Sequence, residues 1–295
     1  MKPRPIEPST YHHITRRCVA RMSLLRPDPD VIQLFTWCFA EGSRRYGVQV
    51  HRLTLMGNHY HAVLFDKQGL LPDFLQWVHR EIARGIQRIR RIDGSVFDQG
   101  KPTGDQILAT EQAFWKMMTY VHANPMDAGL VKRPQDWPGT LTPAGVTELH
   151  AQRPDWMTAK SGPKHHVLPI ATPEHFADPD SPETYHERLG EADRAYVQDL
   201  RTAMRAEGRH RFQGRAKAMD RHWRWVPKTK PARGTPRFVA VMADAICAIH
   251  KTLKTFWDAY AVALEAFRSG QRDTEFPVGT WKMVHSLRCC VAKGG

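Results

Sequence analysis

Cysteine is scarce in this chain of 295 residues, and its five cysteines are not spaced as a metal site or a disulfide framework would require. They form no C-x-x-C pair, their number is odd, and two of them, Cys289 and Cys290, are adjacent. This pattern argues against a disulfide-stabilised secreted domain and against a zinc site built from thiolates. It favours reduced thiols in a cytoplasmic protein.

Long apolar runs are also missing. No stretch reaches the roughly 18 uncharged apolar residues that a membrane-spanning helix needs, and the first residues lack the apolar segment of a standard export signal. We therefore expect a cytoplasmic protein with no membrane partner. The hydrophobic content of 41% is still enough to bury a normal core, so we expect a globular protein with extensions.

Acidic residues are in the minority. The chain has 30 Asp and Glu against 43 Lys and Arg, which gives a formal net charge of +13. A charge of this size attracts polyanions, and nucleic acid is the leading candidate partner. On charge alone, the alternative is an ordinary basic cytoplasmic protein.

Hydrophobic periodicity predicts an alternation of strands and helices over the first 140 residues. We predict helices at about 29–46, 71–92 and 110–124, the last closed by Pro125, and strands at 11–18, 48–56, 59–66, 95–98 and 106–108. Gly57 and Asn58 separate two of the strands and predict a hairpin. The order predicts an α+β fold in which helices pack on one face of an antiparallel sheet.

The rest of the chain has a different character. Residues from about 151 to 182 are rich in Pro, His and Asp without periodicity, and we predict a linker over 146–182. This divides the chain into an N-terminal domain of residues 1–145 and a basic, mainly helical C-terminal region of residues 183–295. Helices are predicted at about 183–206 and 237–268.

A basic segment with aromatic residues separates these two helices. Residues 209–233 hold nine Lys and Arg around Phe212, Trp223 and Trp225. Cations for phosphates and rings for unstacked bases are what a single-strand nucleic-acid groove needs. We name Arg209, Arg211, Trp223 and Trp225 as candidate contacts; the alternative is a segment that only anchors neighbouring helices.

Two histidines in the second strand of the hairpin are candidate metal ligands. Because side chains alternate along a strand, His59 and His61 project to the same side, roughly 6.5–7 Å apart along the backbone. Two neutral imidazoles at this spacing can bind one divalent ion. With 16 histidines, however, chance alone would give an H-x-H about 0.9 times, so a plain surface or core pair is the alternative.

A tyrosine at the end of the third helix is the second unusual feature. Phe114, Met117, Met118 and Val121 have the spacing of a buried stripe, which Tyr120 lies outside. Lys116 is one turn before this tyrosine and Asn124 one turn after it, which makes a polar ridge. Packing alone does not require this arrangement.

Three motifs in order resemble a known family. N-H-Y-H at 58–61, Y-V-H-A-N-P-x-x-A-G-L-V at 120–131 and D-W-P at 136–138 are similar to REP-associated tyrosine transposases, within the single-tyrosine HUH transposases. The likeness covers roughly residues 11–140, under half of the chain. It implies a ferredoxin-like (RRM-like) HUH domain that acts as a DNA transposase-like endonuclease and strand transferase.

By position, the resemblance implies a metal held by His59 and His61, and Tyr120 as the nucleophile. Asn124 matches a polar third ligand, and the alternative for it is a helix-end residue. The implied cofactor is a divalent metal (Mg or Mn), and the implied partner is single-stranded or hairpin-forming DNA, bound by a monomer or homodimer. Tyrosine has a pKa near 10 and is a weak nucleophile, so a cation on the scissile phosphate would compensate.

Other basic residues complete the candidate site. Lys116 is expected to favour the phenolate or contact DNA, and Arg80, Arg84, Arg88 and Arg91 form a stripe that contacts phosphates or is a solvated helix face. We expect His122 to be structural.

Two other functions compete with the enzyme. One is a sequence-specific DNA-binding module of the same fold with little or no catalysis. The other is a phosphodiesterase built from two H-x-T motifs, at residues 13–15 and 250–252. The second is disfavoured because His250 lies in a helical pattern.

Overall fold

The computed structural model describes residues 5–101, 103–174, 181–209, 211–227, 238–239 and 243–292. Its centre is an antiparallel sheet of four strands, in the order β2-β3-β1-β4. The strands are β1 (Thr10–Arg17), β2 (Val48–Leu55), β3 (His59–Asp66) and β4 (Gly104–Leu108). Helices α1 (Pro29–Tyr46) and α2 (Leu71–Arg90) connect β1 to β2 and β3 to β4. The predicted α+β, ferredoxin-like order is confirmed.

The two connecting helices pack together on one face of the sheet. Tyr60, Ala62 and Leu64 project from β3 toward this face and join a fully buried core. Gly47, in the left-handed conformation, ends α1 where predicted, because a glycine adopts that conformation without a steric cost. The other face of β3 therefore carries His59, His61, Val63 and Phe65.

Helix α3 (Glu111–Asp127) covers part of this second face. Phe114 and Met118 pack against Val63 and Phe65 of β3. The predicted end of the helix at Asn124 is wrong, because α3 continues through Pro125. A proline there removes only one backbone donor close to the last turn, where the helix ends anyway. Asn124 lies within the helix, so its helix-end alternative does not apply.

One predicted strand does not form. Residues 95–98 make a single bridge, between Cys18 and Phe97, although Val96 and Phe97 are buried as a strand would bury them. Two backbone hydrogen bonds join this segment to the end of β1 and to the residues just after it. The amide of Val19 donates to the Val96 carbonyl, and the amide of Asp98 donates to the Arg17 carbonyl. The segment is a loop in which Val96 and Phe97 are buried and Ser95 is exposed.

The predicted linker contains a packed hairpin. Strands β5 (Glu148–Gln152) and β6 (His165–Pro169) pair in antiparallel orientation and lie against α1. Ala151 and Leu168 join the main core, and the Trp37 indole of α1 donates to the Pro163 carbonyl at 3.1 Å. The expectation of an irregular segment is therefore wrong for residues 148–169. The division of the chain into domains stays a prediction.

A buried carboxylate holds this hairpin on α1. Glu41 accepts hydrogen bonds from Arg44 and Arg45 of its own helix and from His166 of β6, the last at 2.7 Å. Burial alone would raise the pKa of Glu41, but these three donors lower it to about 2. The hairpin is thus fixed by charge as well as by apolar contact.

The C-terminal region is mainly helical, as predicted. Its elements are α4 (Pro182–Ala206), α5 (Arg215–Asp220), β7 (Phe238–Val239), α6 (Ala243–Arg268), β8 (Glu275–Phe276), α7 (Lys282–Leu287) and β9 (Cys290–Val291). Strand β7 extends the central sheet in parallel beside β4, and β8 pairs with β9. Within the described ranges, no helix has the length and apolarity to span a bilayer.

Helix α4 is joined to strand β2 by a buried ion pair. A β-bulge between Val50 and Arg52 turns His51 and Arg52 toward the same face of the sheet. Arg52 reaches the carboxylate of Asp193 in α4, and both side chains are buried. His122 of α3 lies 4.0 Å from the same carboxylate, and burial lowers its pKa to about 3, which agrees with a structural role.

Glu41→Gln should destabilise the protein at neutral pH and much less in acid. The folded-state pKa of about 2 lies below the ordinary 4.5, so the carboxylate contributes stability above pH 4.5, and this contribution is lost as the pH falls through 2. We expect a loss of roughly 1–3 kcal/mol at pH 7 by urea unfolding, shrinking at pH 3. Glu187→Gln, at an exposed position, is the control; equal effects of the two variants would contradict this account.

Gly85→Ala should destabilise the packing of α1 on α2. A Cβ at Gly85 would overlap the Leu34 side chain, and overpacking of this kind costs about 1–3 kcal/mol. Gly190→Ala in α4 is the matched control, because its nearest atoms, Arg194 Nη1 and Ala144 Cβ, would be 3.4 and 3.7 Å away. It should gain up to about 1 kcal/mol of helix propensity. Thermal unfolding that ranks the two variants the other way would disprove the close approach.

Candidate active site

Three imidazoles meet on the face of the sheet that α3 partly covers. His59 Nε2 and His61 Nε2 are 3.0 Å apart, and His61 Nδ1 is 2.9 Å from His13 Nε2. His13 Nδ1 is in turn 2.7 Å from the side-chain oxygen of Gln106. The strand register produces this row, because His13 on β1 is directly opposite Gln106 on β4, and Thr15 is opposite His61 on β3.

The hydrogen bonds fix where each proton lies. Burial lowers the pKa of His13 and of His61, so both rings are neutral at pH 7 and carry one N–H each. The Gln106 oxygen can only accept, so His13 donates through Nδ1 and has a bare Nε2. That nitrogen accepts from His61 Nδ1, which leaves His61 Nε2 without a proton.

The hydrogen bonds of His59 likewise determine which of its ring nitrogens carries the proton. Burial and the nearby guanidinium groups of Arg17 and Arg21 lower the pKa of His59. Its Nδ1 is 2.6 Å from the Asn58 side-chain oxygen, which can only accept, so His59 Nε2 is also bare. Two lone pairs therefore face each other at 3.0 Å. A cation between them would turn this repulsion into ligation.

The spacing of the pair fits a single divalent ion. Imidazole nitrogens bind such an ion at about 2.1 Å, so two ligands at roughly a right angle are about 3 Å apart. Across the part of the chain that is described, no group of three or more His, Cys, Asp or Glu side chains is arranged to hold a metal. His13 uses its second nitrogen to accept from His61. Further ligands would have to be other oxygen donors, from an amide, a phosphate or water.

Tyr120 lies beside the histidine row. Its ring centroid is 5.5 Å from that of His61 and 6.0 Å from that of His13, edge-on to both. Burial and the Asp127 carboxylate raise the pKa of Tyr120, and a hydrogen bond from the Asn124 side chain opposes them. The buried Asn124 is thus tied to the phenol one turn away. Whether it also binds a metal stays a prediction.

The predicted arginine stripe of helix α2 is not at this site. Arg80 and Arg84 pair with Glu81, Arg88 lies over the ring of Trp156, and Arg91 caps the end of α2. Helix α2 packs on the face of the sheet opposite the histidine row, so the structure does not bring this stripe to Tyr120. Lys116 is exposed on α3. A DNA contact by any of the five stays a prediction.

A cavity of about 820 Å³ opens beside His59, and the C-terminal region forms one side of it. Three of the predicted residues line this cavity: Arg209, Arg211 and Trp225. Trp223 does not, because its ring packs against the main core under the guanidinium of Arg224. Two residues apart in sequence, the two tryptophans have different environments.

Several site residues were not found from the sequence. Arg17, Arg21 and Arg26 line the same cavity from the end of β1 and the segment after it, and their irregular spacing gave no periodic signal. His13 belongs to an H-H pair on a predicted strand and could have been suspected. Gln106 could not, because its part depends on which residue of β1 it faces.

The phosphodiesterase interpretation is not supported. His13 and Thr15 do point toward His61, with Thr15 Oγ1 at 3.1 Å from its Nδ1. His250, however, lies in helix α6, whereas such a site needs both motifs on strands that face one cleft.

Comparison with known proteins gives distant similarities. No protein-family model and no curated protein matches the chain. Among solved structures, it is similar to a REP-associated tyrosine transposase bound to a REP hairpin, with 15% identity, 47% of this chain and 79% of the other covered, and a TM-score of 0.38. It is also similar to a transposase candidate from Deinococcus radiodurans R1, with 16% identity, 41% and 95% covered, and a TM-score of 0.29. Neither value establishes a family or an activity for this chain.

Gln106→Leu should weaken divalent-metal binding although Gln106 is not a ligand. Without its oxygen, His13 is free to carry its proton on Nε2, and His61 is then no longer held with a bare Nε2. We expect Mn²⁺ affinity, measured calorimetrically, to fall roughly 10- to 100-fold. Gln106→Glu keeps an acceptor at the same place and should retain most of the affinity. Equal Mn²⁺ affinities for the Leu and Glu variants would contradict this proton arrangement.

Proposed function

We propose that this protein is a divalent-metal-dependent enzyme that cuts and rejoins single-stranded DNA, with Tyr120 as its nucleophile. The observation that carries the proposal is the convergence of two unprotonated imidazole nitrogens beside a tyrosine ring. The order of the three motifs, similar to that of REP-associated tyrosine transposases, supports the same reaction. The arginine-rich cavity next to His59 adds a place for a polyanion.

His59 and His61 would hold the ion, and imidazole ligands favour Mn²⁺ over Mg²⁺, which prefers oxygen donors. When bound, such an ion neutralises charge on the scissile phosphate and polarises it. Burial around His61 and His59 keeps both nitrogens deprotonated and available at neutral pH. Asn124 lies one turn after Tyr120, and its side-chain amide would stabilise the phenolate by donating to the Tyr120 oxygen, which opposes the rise in the Tyr120 pKa caused by burial.

The chemistry then balances without a further cofactor. Tyr120 Oη loses its proton to solvent and attacks the phosphorus, a new P–O bond forms, and the bond to the 3′-oxygen breaks. The 3′-oxygen takes up a proton and leaves as a hydroxyl, while the 5′-phosphate stays on the tyrosine. Attack by a 3′-hydroxyl on this phosphotyrosine reverses the step and rejoins a strand.

A DNA-binding module with little or no catalysis is the second candidate. The pKa of Tyr120 lies above its ordinary value, which makes the phenol a still poorer nucleophile in the free protein. This observation favours binding without turnover unless substrate and metal change the surroundings of the phenol. A test for a covalent intermediate separates the two candidates.

Wild-type protein incubated with hairpin-bearing single-stranded oligonucleotides and Mn²⁺ should form a covalent protein–DNA species on a denaturing gel. Tyr120→Phe should form none, because it lacks the attacking oxygen, and EDTA should abolish the species in the wild type. His59→Ala and His61→Ala should each lose on the order of 100-fold in rate, because each removes a proposed metal ligand. Both variants should keep much of their DNA affinity, because phosphate contacts dominate binding.

The control for this assay is Tyr46→Phe, at the far end of α1, which removes a phenol oxygen away from the histidine row. It should leave the covalent species unchanged. An adduct that persists in Tyr120→Phe would show that another residue is the nucleophile. No adduct in wild type with any hairpin substrate would favour the binding module.

A further inference from the structure

The cavity beside His59 has two walls from distant parts of the chain. One is the end of β1 and the segment after it, with Arg17, Arg21 and Arg26; the other is the C-terminal segment of residues 211–227, which we call the arm. His59 lies in the lining, so the cavity reaches one member of the histidine pair. Its volume of about 820 Å³ lies within the range of ordinary ligand pockets.

The arm is attached to the N-terminal domain at three places. The amides of Gln213 and Gly214 donate to the carbonyls of Gly129 and Leu130, just after α3, at 2.9 and 3.0 Å. Ala218 of α5 packs in a small cluster with Val131 and Trp137. At the other end, the amide of Ser23 donates to the Trp225 carbonyl at 3.1 Å, and Arg26 donates to the carbonyl of Arg221. These contacts hold the arm across the opening of the cavity.

The lining is strongly positive. Among the described residues it holds six arginines, Arg17, Arg21, Arg26, Arg209, Arg211 and Arg221, against one acid, Asp127. Asp127 pairs with Arg209 at 3.2 Å, and Asp28, outside the lining, pairs with Arg26 at 2.7 Å. The six arginines still leave the lining with an excess of positive charge. So many guanidinium groups around one cavity repel one another, and an anion between them relieves this repulsion.

An aromatic surface accompanies the charge. Trp225 is 36% exposed, and the guanidinium of Arg221 lies 3.9 Å from its ring centroid. An exposed indole beside arginines is the arrangement on which unstacked bases pack in single-strand nucleic-acid sites. A cavity for a small free anion would not need this ring.

We propose that the cavity is a binding groove for unpaired nucleotides of single-stranded DNA, with the arm as its outer wall. Trp225 stacks on a base, and Arg17 and Arg211 contact phosphates on either side of it. The groove leads the strand to the histidine pair, so it holds the nucleotides next to the scissile phosphate. This inference rests on the proposed function, and it gives the C-terminal region a direct part in DNA binding.

Binding in EDTA tests the groove without any strand being cut. We expect Trp225→Leu to lower the affinity of the full chain for a fluorescein-labelled single strand by about 5- to 100-fold, and Trp225→Phe to restore most of it. Trp156→Leu, a ring outside the groove, should have no such effect. A blunt duplex should lose little affinity with any of these variants, because its bases are already stacked.

Stacking can be measured directly with 2-aminopurine placed at successive positions of the strand. Its fluorescence should be quenched at one position in the wild type and recover in Trp225→Leu. Arg211→Ala should reduce the slope of log affinity against log salt by about one. Arg224→Ala is the control and should leave the slope unchanged, because Arg224 lies over the ring of Trp223, outside the groove. Unchanged affinity, quenching and salt slope in Trp225→Leu and Arg211→Ala would overturn the groove.

The two proposals fail in different ways. If these binding effects appear but wild type never forms the covalent species, the groove stands and catalysis by Tyr120 does not. If the covalent species forms and the arm variants bind DNA like wild type, the enzyme stands and the groove does not.

Discussion

Two nitrogen atoms without protons face each other at 3.0 Å, and the geometry of the candidate site depends on the contacts that keep them there. Such an approach is unfavourable in the absence of a cation, so other contacts must hold it. Asn58 fixes one ring and the pair of His13 and Gln106 fixes the other. Protonation of one imidazole would replace the repulsion between the two nitrogens with a hydrogen bond, but burial of the rings disfavours the charged form. The sheet supplies the stiffness, because α1 and α2 pack on one of its faces and α3 packs on part of the other.

Most of the N-terminal fold was predictable because its patterns are regular and clearly bounded. Helix α1, the hairpin of β2 and β3, and helix α2 each have clean periodicity that ends at Gly47, at Gly57 and Asn58, or near Gly94. The hairpin of β5 and β6 was not predictable in this way. Its strands have five residues each, and the apolar partner that orders them is α1, more than 100 residues earlier.

The residues of the candidate site also fall into those that the sequence could suggest and those that it could not. His59, His61 and Tyr120 could be proposed from local spacing and from the resemblance, since each stands out against its own strand or helix. His13 and Gln106 act through the residue that each one faces across the sheet, and a single sequence does not give that pairing. The four arginines of α2 show the opposite case, where a convincing stripe lies on the far side of the sheet from the histidines.

The C-terminal region illustrates how composition identifies a segment but not its orientation. Trp223 and Trp225 are only two residues apart in the sequence, yet one ring packs against the core and the other lines the cavity. What decides between them is how the arm is attached, and its backbone hydrogen bonds to Gly129 and Leu130 do not depend on side-chain identity. Such bonds leave no trace in a pattern of residue types.

The pairing of β4 with β1 has a consequence for how the site tolerates change. Gln106 faces His13 only in the observed alignment of the two strands. A slip of one residue would turn Gln106 to the opposite face of the sheet and take its oxygen away from the imidazole. An insertion or deletion in the loop before Gly104 that shifts this alignment would therefore disrupt the proton arrangement of the histidine pair, although the proposed ligands and the nucleophile are all retained. In this protein, the location of a proton is encoded in the alignment of two strands.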